Sequence, residues 1–237
     1  MKKHKISIIS NAIIFSMLVV LSVVTLLPNK FVAVSSASNS PIYHGNTDKK
    51  QVSFMINVYW GTEFIEQIME IFDKYNAKTT FFVGGSWVEK NNNLLKLMDE
   101  KGHEIANHGY LHKDHKKLDY KGNFDEISLT NKLIKNVIGK DVKLFAPPSG
   151  SFSKTTLEVA SKLEMQTIMW SKDTIDWRDK DSNLVFTRAT KNLACGDLIL
   201  AHPTKHTVEA LDKILQFYIE KGYSIVTVSQ NIMSTVL

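Results

Sequence analysis

The chain lacks the features that mark several protein classes. It has one cysteine, Cys195, so an intrachain disulfide framework is excluded. A reactive thiol needs a nearby base or cation. The flanking Ala194 and Gly196 supply neither, and Cys195 is expected as a small buried apolar residue. No G-x-G-x-x-G follows the first predicted strand, which argues against a dinucleotide fold. No internal repeat is visible. No acid precedes residue 38, whereas Lys2, Lys3, Lys5 and Lys30 do; the rest of the chain holds 25 bases against 24 acids. The net charge of +5 therefore belongs to the N-terminal stretch. The near-neutral remainder, with no basic stripe interleaved with aromatics, gives no basis for nucleic-acid binding.

The N-terminal stretch reads as a targeting segment. Lys2, Lys3 and Lys5 precede 22 uncharged residues from Ile6 to Leu27. About 20 apolar residues span a bilayer, and a cleaved signal usually has a shorter core. Ser35, Ser36 and Ala37 offer a cleavage site, so residues 1–37 are expected to be a signal peptide or an uncleaved membrane anchor. The basic flank places the N-terminus in the cytoplasm and the domain outside. Polar residues 38–50 read as a linker. Residues 51–237 form one domain, long enough for a single sizeable core, and are expected to be monomeric.

From residue 51 the pattern alternates strand-like and helix-like segments. Strands are predicted at 52–57, 79–83, 104–108, 144–147, 166–170, 198–202 and 223–227. Helices are predicted at 62–75, 87–100, 124–138, 154–163, 184–193 and 207–221. Repeated βα units predict an α/β fold with a parallel sheet buried on both faces; seven units fit a distorted, incomplete (β/α)7 barrel better than two domains, with an open doubly wound sheet as the alternative.

Such barrels carry their sites at the C-terminal strand ends, where the unusual polar residues of this chain collect. Asn57 ends the first strand. His108 ends the third, with His112 four residues on. Pro147 and Pro148 follow the fourth, and Asp173, Asp176 and Trp177 the fifth. His202 ends the sixth. The H-x-x-x-H spacing of His108 and His112 can chelate a divalent ion, although solvated or capping histidines share that spacing, and His103 and His115 make the region rich in histidine. His202 closes an apolar strand and Pro203 breaks it. An Asp176 carboxylate on one ring nitrogen would leave the other facing a substrate. Trp60 and Trp177 are candidates for a sugar-binding floor. A glycoside hydrolase would instead need a second carboxylate about 5–10 Å from Asp173 or Asp176, with Glu63 or Asp114 the candidates.

Taken in order over residues 51–230, these motifs resemble the polysaccharide deacetylase family (the NodB homology domain). The likeness is nearest to its spore-formers' branch, where an aromatic-Trp-Gly follows the first strand, as Tyr59-Trp60-Gly61 does here. His108 to His112 resembles the H-[ST]-x-x-H metal motif, with Gly109 in second place. Phe145 to Gly150, Asp173 to Trp177, and Leu198 to His202 resemble the later motifs. The resemblance implies removal of N- or O-acetyl groups from cell-wall glycan. It implies a divalent metal, Zn²⁺ first and Co²⁺ or Mn²⁺ as alternatives, on His108 and His112, with His202 as acid. Asp173, Trp60, Trp177, Pro147 and Pro148 are then expected around the substrate. The family's T-F-D-D supplies a base and a metal carboxylate where this chain has Asn57 and Val58, and its Arg partner of the base corresponds to Ala146. A slow or specialised deacetylase, or a glycan-binding pseudoenzyme, is expected.

Overall fold

In the computed structural model, which describes residues 15–17 and 40–233, eight short strands make one all-parallel sheet. They are β1 (Gln51–Val58), β2 (Thr80–Val83), β3 (Glu104–Asn107), β4 (Leu144–Phe145), β5 (Gln166–Thr167), β6 (Lys172–Asp173), β7 (Leu198–Ala201) and β8 (Ser224–Ile225). The order is β5-β4-β3-β2-β1-β7-β6, and β8 pairs with the first two residues of β1. Only residues 168–171 carry the chain from β5 at one edge to β6 at the other. An extended chain of that length reaches about 18 Å, so the two edges must approach each other and the sheet must curl. This is the distorted, incomplete α/β barrel expected from the sequence.

β1 is buried along its whole length and sorts its side chains by the period of two. Val52, Phe54, Ile56 and Val58 enter the core between sheet and helices, together with Ile68, Phe72 and Leu215. Met55 lies on the other face, inside the barrel, packed with Phe82, Ala106, Ala146, Ile168 and Leu198. Asn57 follows Met55 on that inner face at the C-terminal end of the strand.

Several local expectations change. The predicted strand 166–170 stops at Thr167, because the chain has to leave β4 to reach β7, where it forms the unforeseen β6. The predicted helix 87–100 is broken at Asn91 (φ −132°) into Gly85–Val88 and Asn92–Glu100. The helix Tyr120–Ile138 starts earlier than 124 because Asp119 caps it by accepting from the Gly122 N–H. The last strand shortens to β8, because Thr227 and Gln230 form a capping box that opens the helix Val228–Ile232. Cys195 is only partly buried. The stretch 38–50 differs from a free linker from residue 40 onward. Ile42 bridges to Ile168, the Gly45 N–H donates to Gly196 O, and the Asn46 N–H donates to Asn231 O. Of the expected signal or anchor at 1–37, only residues 15–17 are described; the rest lies outside the described residues. Among the described residues no helix is long and apolar enough to cross a membrane.

Candidate active site

The C-terminal strand ends open into a cleft of about 280 Å³. Asn57, His108, His112, Asp173, Trp60, Trp177 and His202 line it, so the three imidazoles meet at one mouth. Tyr59, Ser149, Trp170 and Leu200 complete the wall. Tyr59 and Ser149 stand within the Tyr59-Trp60-Gly61 and Phe145-to-Gly150 motifs, which assign them no role; Trp170, at the end of the predicted strand 166–170, and Leu200, within 198–202, are placed in the cleft by the structure alone. Pro147 and Pro148 do not line the cleft: both are buried, and they shape the turn that presents Ser149 at φ 55°.

His202 is held on three sides. Its Nδ1 lies 2.8 Å from Asp176 Oδ1, and its backbone N–H donates to Asp176 Oδ2 at 2.8 Å. The ring stacks on Trp60 with centroids 5.7 Å apart and planes 7° from parallel. Asp176 is buried and is one of the best-satisfied carboxylates in the molecule. Its Oδ2 also accepts from Thr207 Oγ1 at 2.6 Å and Thr204 Oγ1 at 3.3 Å. Burial alone would raise its pKa, but the hydrogen bonds and charge of His202, with the bond from Thr207, outweigh that and hold it below the ordinary carboxylate value. The sequence places these residues by two devices. Gly61 turns the chain after β1 with φ 73°, where a Cβ would run into the Pro203 carbonyl. Ile175, just before Asp176, takes φ 51°, a strained conformation for a β-branched residue. It is fixed by its N–H donating to Asp173 Oδ1 at 2.8 Å.

Opposite, the segment 108–112 leaves β3. The His108 Nδ1–H donates to Ala146 O at 2.8 Å, which leaves Nε2 as the free acceptor. Burial, followed by the nearby His112 ring, pushes the His108 pKa down to about 3, so the ring is neutral. The His112 ring packs 5.2 Å from that of His108 and 5.0 Å from that of Tyr59. Its pKa is also lowered, chiefly by burial. Glu126, which sequence reasoning missed because it sits mid-helix in a polar run, is buried beneath the segment and accepts from the backbone N–H groups of Tyr110 and Leu111, each at 2.8 Å.

Asn57 is 4% exposed, and its Oδ1 has no hydrogen-bond partner. Val58, expected where a metal carboxylate would stand, does not reach the cleft: it is fully buried in the core between sheet and helices. The pocket-side neighbour of His112 is Tyr59. Ala146, in the place of the arginine, is buried inside the barrel. Of the carboxylates, only Asp173 lines the cleft among the described residues. Glu63 lies outside it, lining an adjoining pocket together with Asp176, and Asp114 is engaged by Ser151 and Lys117, so no second carboxylate joins Asp173 in this cleft.

The donor set can be tested against a divalent ion. Neutral His108 with a free Nε2, the adjacent His112 and the orphaned amide oxygen of Asn57 are ligands that such an ion accepts. Among the described residues no three His, Cys, Asp or Glu side chains gather into a metal cluster. The residues fit an ion held by two imidazoles and a neutral oxygen, without a carboxylate.

A family model described as polysaccharide deacetylase matches residues 44–168. The chain is 41% identical over 199 residues to protein YlxY of Bacillus subtilis (strain 168), covering 84% of this chain and 62% of that protein, so it spans less than two thirds of that relative's length. It is 33% identical over 178 residues to a peptidoglycan-N-acetylglucosamine deacetylase of Bacillus cereus, covering 70% of this chain and 81% of that protein. Among solved structures it is similar to wild-type BA3943 of Bacillus anthracis, named a CE4 family pseudoenzyme. The TM-score is 0.81 with 37% identity, covering 83% of this chain and 70% of that one. A BA3943 mutant named as having restored enzymatic activity matches with a TM-score of 0.81 and 35% identity, covering 83% of this chain and 72% of that one.

Proposed function

The chain belongs to the polysaccharide deacetylase family, and on that premise we propose that its cleft takes up acetylated cell-wall glycan, chitin-like or peptidoglycan, and releases N- or O-acetyl groups slowly because the general base is missing. The observation that carries the reading is one cleft in which a carboxylate-held imidazole, His202, faces a separate imidazole pair, His108 and His112, between exposed indoles. The sugar packs its C–H faces on Trp60 and Trp177, which are 45% and 51% exposed. Asp173 and Ser149 offer polar contacts at the wall. A divalent cation held by His108, His112 and the Asn57 amide oxygen would supply Lewis-acid polarisation of the acetyl carbonyl, with Zn²⁺ first and Co²⁺ or Mn²⁺ as alternatives.

The remaining roles belong to the chain itself. In the protonated His202 ring, Asp176 holds the Nδ1–H, and Nε2–H is the proton available to the leaving nitrogen or oxygen. Trp60, stacked on the ring, keeps Nε2 aimed and excludes water from one face. Asn57 stands where a base would act. An amide takes no proton from water near neutral pH, and loss of a general base costs roughly 10²–10⁴ in rate. The protein is read as acting outside the cytoplasm, anchored through its N-terminal segment or secreted after cleavage, as a monomer.

Glycan binding without turnover is the second reading. It is favoured by the apolar burial of Val58 and by the name pseudoenzyme carried by the similar BA3943 structure. Acetate release and calorimetric affinity for acetylated chitooligosaccharides and peptidoglycan fragments separate the two. Acetate release that His202→Gln abolishes supports the slow enzyme. Measurable binding with no acetate selects the second reading, and neither signal sinks both.

A further inference from the structure

The segment that carries His108 and His112 is held by a residue far away in sequence. Glu126 lies on the helix Tyr120–Ile138 and is 3% exposed. Its Oε2 accepts from the N–H groups of Tyr110 and Leu111, both at 2.8 Å, and its Oε1 lies 3.3 Å from Lys113 Nζ. The two N–H donors belong to the middle of the H-x-x-x-H segment, so one carboxylate ties the stretch between the two imidazoles to a rigid helix. Bonds from N–H to an ionised carboxylate are roughly twice as strong as neutral ones.

The segment needs such a tie. Gly109 has φ 72° and His112 φ 55°, and a non-glycine residue in the left-handed region is strained and persists only where its surroundings over-determine it. A side chain at position 109 could not supply the tie. A Cβ there would lie 3.0 Å from His115 Nε2, 3.4 Å from Pro148 Cγ and 3.5 Å from Glu126 Oε2, on a backbone already at positive φ. The carboxylate and the His115 ring occupy that space. The backbone contributes further fixings, as the N–H groups of Gly85 and Ser86 donate to Gly109 O and Tyr110 O at 2.9 and 3.0 Å.

We propose that Glu126 is the positioning residue for the His108–His112 pair: its buried carboxylate sets the 108–112 segment in the conformation that brings both imidazoles to the cleft. Its carboxylate oxygens are engaged by the backbone N–H groups of Tyr110 and Leu111 and by Lys113, not by a hydrogen bond to either ring. The inference rests on the reading of those imidazoles as ion ligands, given under Proposed function. Groups outside the metal-ligand pair test it, because the His202–Asp176 unit on the other wall does not depend on Glu126.

The experiment uses the full chain with Zn²⁺ alone as the probe, read by calorimetry, and with the imidazole resonances of His108, His112 and His202 followed by NMR. Loss of a partner that orients metal ligands typically costs 10–100-fold in affinity. Glu126→Ala should weaken Zn²⁺ binding by at least tenfold and move the His108 and His112 resonances while leaving those of His202 in place. Glu126→Gln keeps a carbonyl acceptor for Tyr110 and Leu111 and should recover part of the loss. It also carries the test if Glu126→Ala does not fold. A folded variant with wild-type Zn²⁺ affinity and unmoved His108 and His112 resonances overturns the proposal, whatever its melting temperature. If the wild type itself takes no Zn²⁺, the ion reading fails. The resonances then decide this one: displaced in Glu126→Gln they support it, unmoved they end it.

Discussion

Asn57→Asp restores one carboxylate and nothing else, so its consequences can be worked from the surroundings of residue 57. The side chain is 4% exposed on the inner face of β1, its Oδ1 is unpartnered, and Ala146 offers no cation. A carboxyl group there is desolvated, and burial raises its pKa. It is therefore uncharged and inactive at acid pH, and becomes the missing base only as pH rises through that raised value. Above it, in the metal-free protein, the uncompensated charge weighs on the fold, because a buried ion without a partner costs several kcal/mol; a divalent ion on His108 and His112 would lower that pKa and relieve the cost. The expected outcome is a gain in acetate release of roughly 10²–10⁴ that grows with pH, together with, in the absence of added metal, a lower melting temperature at high pH than at low pH relative to wild type. The assay is acetate released from acetylated chitooligosaccharide by the full chain with Zn²⁺ supplied, across pH 5 to 9, with glycan affinity measured in parallel. A folded Asn57→Asp protein that binds glycan as the wild type does and still releases no more acetate would refute the reasoning that the base is what the site lacks.

Three further outcomes follow from the same geometry. Val58→Asp puts a carboxylate into the apolar core between sheet and helices. It should cost about 4 kcal/mol or more of stability, seen as a fall in the denaturation midpoint; unchanged stability would show that residue 58 reaches solvent or the cleft. His103 lies far from the cleft, between Phe72 and Phe81, and burial, aided by the charge of Lys78, pushes its pKa down to about 4. Because the folded value is depressed below 6.5, the unfolded chain binds the proton first on acidification. Stability is complete above pH 6.5, falls between pH 6.5 and 4 by up to about 3 kcal/mol in all, and His103→Phe should flatten that part of the stability curve measured by urea titration. Trp177→Ala should weaken glycan affinity by about 1 kcal/mol, close to fivefold, with no change in folding stability, since the indole is half exposed; equal calorimetric affinity would remove Trp177 from the binding floor.

Much of this molecule is determined by its sequence alone, because the responsible signals are local. Alternating βα segments and a near-continuous apolar β1 specify a parallel sheet buried on both faces, and strand-end positions alone nominate Asn57, His108, His112, Asp176 and His202. Gly61 and Pro203 fix the turns that place Trp60 and His202 side by side, and each is readable as a turn residue. The neutral balance of charge beyond residue 38 follows from composition.

What only the tertiary structure decides depends on contacts between distant residues. Whether Val58 faces the cleft or the core is set by which face of β1 the helices cover, and a list of motif positions cannot distinguish the two. Trp170 joins the cleft because the chain crosses from one sheet edge to the other within four residues, so the curl of the whole sheet brings it there. Glu126 carries no motif; it matters because a helix starting at Tyr120 lies beneath the 108–112 segment and delivers a carboxylate to two backbone N–H groups more than a dozen residues away. Pro147 and Pro148 look exposed in a loop but both are buried, and the Pro148 ring lies against the Gly109 turn.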